Sequence, residues 1–161
     1  MDPVTLFDRA TPCAAWSVQD LIDHMVGSTE YLRAALDGRE PQIVTGATAA
    51  DYHNGRAAVL TAFAEPGALD RTCASPLGFE WTIGQAAAGT FMDNLIHTWD
   101  LACATDQDAT LDPELVDACI ALFLPEMPER GRATGLVGPE VQVAPDATAQ
   151  QRLLGAMGRA A

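Results

Sequence analysis

The longest proline-free stretch of this chain lies between Pro76 and Pro113, and within it Thr82-Ile83-Gly84-Gln85 has the spacing of a capping box. The residues from there to about Thr105 are rich in Ala and unbroken, so the fold must be built around one long central helix. Ser17-Val18-Gln19-Asp20 repeats the cap spacing, with Trp16 placed to staple against the first turn. Val18, Leu21, Ile22, Met25, Val26, Leu32 and Leu36 then recur at helical spacing to about Asp37, and Gly38 supplies a stop. A further helix is predicted from about Ala47 to Glu65 through Tyr52, Val59, Leu60 and Phe63, weakened by Gly46 and Gly55 and ended by Pro66-Gly67. Leu69 to Glu80, with Pro76 and Gly78, reads as a connection with room for a short strand or hairpin.

Asp112-Pro113-Glu114 supplies an N-cap, a first-turn proline and an early acid, opening a helix through Leu115, Val116, Ile120, Leu122 and Phe123 to the break at Pro125. From Pro125 to Ala147 four prolines and three glycines predict a long loop without helix, of a kind that compact domains keep for function, such as a lid over a site. Thr148 to Gly158 reads as a short closing helix. At 161 residues, 48% of them hydrophobic, the chain has the size and apolar content of one domain, residues 1–161, and its pattern is that of an all-α helical bundle.

Charge narrows the function classes. All nine basic residues are Arg, against 22 acidic residues, for a net charge of −13. Such a surface repels phosphate backbones and anionic headgroups, so nucleic acid and membrane are excluded as partners. The absence of Lys also reads as the codon usage of a GC-rich bacterial genome. Cys13, Cys73, Cys103 and Cys119 form no CxxC pair, and Met1-Asp2-Pro3-Val4-Thr5 lacks a secretory pattern. The expectation is a reducing cytoplasm, with the four thiols buried as small hydrophobes. No apolar run approaches the roughly 18 residues of a spanning helix.

Two of the three histidines sit where a core-facing helix would place aliphatic side chains. Asp93 and His97 are four residues apart in the central helix, so they project about 40° apart on one face, one turn above the other. That face also carries Ile83, Ala86, Thr90, Asn94 and Leu101, which argues for burial, and a buried charge requires a partner. His24 flanks the apolar stripe of the first helix, on the side shared with Ser28 and Tyr31, where a packed neighbour would bring it to the pair. Two imidazoles and a carboxylate make a three-ligand set with an open fourth position, as in a reactive zinc site. The alternative from spacing alone is an ordinary i,i+4 pair beside an edge histidine. Asp100, three residues after His97, is close enough to orient its imidazole or to be a surface acid. Trp81 and Trp99 read as packing. His53 reads as exposed, with a role as an extra ligand open, and Arg33, Arg56 and Arg71 read as ion-pairing residues with carboxylate binding as the alternative.

Thr11-Pro12-Cys13-Ala14-Ala15-Trp16-Ser17-Val18-Gln19-Asp20-Leu21-Ile22-Asp23-His24-Met25 resembles the TPCxxW(S/T)VxDLxxH(L/M) opening of small DinB-like metal-binding proteins, related to the N-terminal domain of mycothiol-dependent maleylpyruvate isomerase. Asp93 to Ala102 is similar to that group's DxLxHxWDLA block, and Gly138-Pro139-Glu140-Val141, Leu153-Leu154 and Gly158-Arg159 resemble its C-terminal blocks. The resemblance implies a DinB-type four-helix bundle and places metal ligands on His24, Asp93 and His97. Asp93 stands where the isomerase has Glu, one methylene longer, and Thr98 where small members often have Gly. The chain has no room for the isomerase's second domain, so that reaction does not carry over.

The functional expectation is a divalent cation, zinc first and nickel or iron as alternatives, that activates water or a small thiol such as mycothiol or bacillithiol for transfer, isomerisation or hydrolysis. The rival is a non-catalytic helical module, metal-stabilised or metal-free, that binds a small ligand or a protein. Oligomeric state stays open, a dimer included.

Overall fold

The computed structural model describes residues 5–160. Met1–Val4, part of the segment that lacks a secretory pattern, lies outside the described residues. By contact the chain divides into two compact units, Met1–Gln107 and Asp108–Ala161. Helix, 3-10 turns included, accounts for 57% of the described residues and the described strands form one two-stranded hairpin, so the protein is all-α. No described helix is long and apolar enough to cross a membrane.

The first unit holds α1 (Val18–Asp37), α2 (Ala49–Phe63), β1 (Thr72–Ala74), β2 (Glu80–Thr82) and α3 (Ile83–Ala104), with 3-10 turns at Leu6–Asp8 and Ala68–Asp70. Each helix starts where a side chain satisfies orphan amides. Ser17, Thr48 and Thr82 accept from the backbone N–H three residues on, and Asp20, Asp51 and Gln85 reach back to the cap amide. Helix α1 packs against both α2 and α3. Between them Leu32, Leu36, Val59, Ala68, Ile83 and Ala86 form a buried cluster, each large side chain worth about 1.5–3 kcal/mol in removed apolar surface. Gly55 belongs in α2 for a packing reason, because a Cβ there would collide with Thr29 of α1. Gly46, at φ +66, precedes the Thr48 cap and so does not weaken the helix.

The hairpin pairs antiparallel with Cys73 opposite Trp81. Trp81 Nε1 donates to Tyr31 Oη (2.7 Å), which donates to the Ala74 carbonyl (2.7 Å), so α1 is tied to the strand that runs directly into α3. This fixes the register of the two helices that carry the candidate site.

The second unit holds α4 (Pro113–Phe123), α5 (Met127–Ala133) and α6 (Ala149–Ala156), with α4 packed on α6. Gln150 accepts from Leu111 N–H (2.9 Å) and donates to the Ala109 carbonyl (3.0 Å), which anchors α6 to the segment before α4. Helix α5 corrects the expectation of an unbroken loop from Pro125 to Ala147. Pro128 falls in its first turn, where the missing N–H costs nothing, and Gly131 is buried against Val137, where a Cβ would not fit. The cysteines need a correction as well. All four are free thiols, but only Cys119 is buried, with burial pushing its thiol up to about 11; Cys13 and Cys73 are half-buried and Cys103 is exposed.

Candidate metal centre

His24 and Ser28 lie one turn apart on α1, facing Asp93 and His97 on α3. His24 Nε2 lies 2.9 Å from Asp93 Oδ2, and His97 Nε2 lies 3.3 Å from Asp93 Oδ1. Ser28 Oγ donates to the same Oδ2 at 3.1 Å. One donor atom from each of His24, Asp93 and His97 lies within 4.8 Å of the others. The structure therefore brings together the three residues singled out in the sequence, and it adds Ser28, which spacing placed only on the same side as His24.

The second nitrogen of His97 is also engaged. Its Nδ1 lies 2.9 Å from Asp100 Oδ2, and the Cys13 thiol donates to that oxygen at 3.2 Å while standing 3.7 Å from Nδ1. Cys13 is delivered by a tight loop. Thr11 Oγ1 accepts from Cys13 N–H (3.2 Å) and donates to the Trp16 carbonyl (3.0 Å), and Ala15 takes a left-handed φ of 66°. That conformation costs a residue with a Cβ about 1–2 kcal/mol and persists only where neighbours hold it. The same loop lays Trp16 against the site, its ring centroid 4.8 Å from His24 and 5.7 Å from His97. Trp16, expected to staple the first turn of α1, thus covers the two imidazoles.

Exposure grades across the cluster. The side chains of His24 and Asp93 are 35% and 31% exposed, that of His97 is 9%, and Asp100 is fully buried. One flank thus opens to solvent while the other is sealed. Burial raises the pKa of Asp93, but hydrogen bonds from His24 and His97 outweigh it and hold the carboxyl well below the usual range. Burial works against the imidazolium of His97, but bonds with Asp100, Asp93 and Cys13 outweigh it and push its pKa up to about 11. Without a cation the cluster is thus a proton held between two carboxylates.

The remaining singled-out residues lie elsewhere. His53 is exposed on α2, its ring 6.1 Å from Tyr52. Arg33 pairs with Asp37 at 2.9 Å, Arg56 and Arg71 are exposed, and Trp99 is buried packing. No periodicity could have revealed Cys13, which meets α3 across 84 positions of sequence.

The sequence profile of the mycothiol maleylpyruvate isomerase N-terminal domain matches residues 5–102, a span that contains all the residues of the cluster. Two Mycobacterium tuberculosis proteins, "Uncharacterized protein MT0763" of strain CDC 1551 and "Uncharacterized protein Rv0738" of strain H37Rv, are each 37% identical over 132 residues, 81% of this chain and 66% of theirs. The chain thus spans just under two thirds of the length of these relatives. No solved structure matches it.

Proposed function

The chain belongs to the mycothiol maleylpyruvate isomerase N-terminal domain family, and on that premise we propose that His24, Asp93 and His97 hold one divalent cation, zinc in the first instance, to activate a small thiol of the mycothiol type or water. The observation that carries this reading is the convergence of two Nε2 atoms on one carboxylate. Zinc bonds of about 2.0–2.2 Å set tetrahedral donors about 3.3 Å apart. The Nε2–Oδ separations here, 2.9 and 3.3 Å, are close to that spacing. Charge agrees too, since Asp93 and Asp100 together offset a doubly charged ion between neutral imidazoles. Nickel and iron(II) accept the same donors.

When bound, such a cation lowers the pKa of a coordinated thiol or water and supplies thiolate or hydroxide near neutral pH. The chain's own contribution is orientation. Asp100 accepts the Nδ1 hydrogen of His97, which leaves the Nε2 lone pair aimed at Asp93. Ser28 donates to Asp93 Oδ2 and limits the swing of a carboxylate one methylene shorter than the isomerase's Glu. Trp16 shields both imidazoles from water on its side, and the partly open His24–Asp93 flank leaves room for a substrate. We also propose residues 1–161 as one cytoplasmic domain of DinB type, a four-helix bundle, supported by the packing of α1 against both α2 and α3.

Metal analysis tests the centre. Purified protein should carry about one equivalent of a divalent metal, and His97→Ala or His24→Ala should lose it. Anomalous scattering from a crystal would identify the element. Turnover of thiol conjugates by the loaded protein supports thiol activation, ester or amide cleavage without thiol supports water, and retained metal without either supports a non-catalytic module. Wild-type protein that takes up no divalent metal refutes the centre.

A further inference from the structure

The far side of His97 carries a second set of donors. Asp100 Oδ2, fully buried, receives both the Cys13 thiol at 3.2 Å and His97 Nδ1 at 2.9 Å, and Cys13 Sγ lies 3.7 Å from Nδ1. One ligand atom from each of these residues lies within 4.8 Å of the others. They come from three different constraints, the strained Thr11–Trp16 loop and two turns of α3, yet they meet at one oxygen. A cavity of about 240 Å³ lined by Thr11, Cys13, Ala15 and Trp16, among others, opens beside Cys13.

We propose that Cys13 Sγ, His97 Nδ1 and Asp100 Oδ2 form a separate site for a soft, thiophilic divalent cation. It goes beyond the centre proposed above and takes no ligand atom from His24 or Asp93. A thiolate selects soft cations where the imidazole and carboxylate set on the other side does not. On binding, the Cys13 Sγ–H and His97 Nδ1–H bonds both break, the two protons leave to solvent, and the cation takes the place those hydrogens held beside Asp100. His97 presents its lone pair at Nδ1 and keeps its hydrogen on Nε2, where Asp93 Oδ1 stands 3.3 Å away to accept it. A neutral imidazole has one lone pair, so this site and the His24–Asp93 centre compete for the same ring.

Cadmium is the probe, because cadmium–thiolate bonds give an ultraviolet charge-transfer band that imidazole and carboxylate ligands do not. Titration of the wild-type chain should produce the band. Cys13→Ser should abolish it, and Asp100→Asn should raise the titration midpoint about tenfold or more. Cys73→Ser and His24→Ala should keep it. A band that survives Cys13→Ser, or that His24→Ala removes, overturns the proposal. A readout without variants is alkylation of the wild-type protein: cadmium should protect Cys13 from iodoacetamide while exposed Cys103 goes on reacting. Equal Cys13 labelling with and without cadmium overturns it as well. Failure of the His24–Asp93 centre would leave both readouts unchanged, so the two readings fail separately.

Discussion

Raising the pH of the metal-stripped protein should weaken it through one side chain, His97. Its folded pKa of about 11 lies above the ordinary value of 6.5, so the folded chain keeps a proton that the unfolded chain releases. Stability from such a group is complete below pH 6.5 and is lost as pH rises toward 11. Each pH unit in that window costs about 1.4 kcal/mol per proton. From pH 6.5 to 8.5, with the unfolded imidazole half-titrated at the start, the loss is about 2 kcal/mol. Asp93 works with the opposite sign: its depressed pKa stabilises above pH 3.8 and is lost only in acid, so it leaves this window flat. The assay is urea unfolding of chelator-treated protein at pH 6.5, 7.5 and 8.5, beside His97→Gln. Wild type should lose about 2 kcal/mol more than the variant across the range. Saturating zinc should reverse the trend, because a cation replaces the proton and binds better as protons become scarce. Equal slopes for wild type and His97→Gln would refute the argument.

Asp100→Asn should weaken zinc binding about 10–100-fold in a chelator competition titration, since the amide places N–H groups where His97 and Cys13 need an acceptor. Gly155→Ala should lower the unfolding temperature: its Cβ would stand 2.7 Å from the Val141 carbonyl, itself held by the 2.9 Å Val141 N–H to Gly155 bond. That overpacking costs about 1–3 kcal/mol, more than the roughly 1 kcal/mol of helix propensity gained. Thr82→Ala removes the acceptor for Gln85 N–H at the start of α3 and should cost about 1 kcal/mol in chemical unfolding.

Much of this was legible in the chain. Cap spacings at Ser17 and Thr82 located α1 and α3 to within a residue, because capping is a local competition for orphan amides that the sequence states directly. The i,i+4 relation of Asp93 and His97 was legible for the same reason. Packing was harder to read: Gly55 looked like a helix weakener until Thr29 stood against it, and Gly131 looked like loop punctuation until Val137 did. Ser28 and Cys13 were hidden for the same cause. Their partners are set by how α1 and the Thr11–Trp16 loop lie on α3, and neither periodicity nor composition records that.

Trp16, lying across both imidazoles, gives the protein an optical sensor of its own. An open-shell ion such as cobalt or copper arriving beneath that indole would drain its fluorescence, whereas closed-shell zinc would leave the emission bright. Comparison with Trp16→Phe would subtract the light of Trp81 and Trp99, so occupancy could be followed in real time with no dye attached.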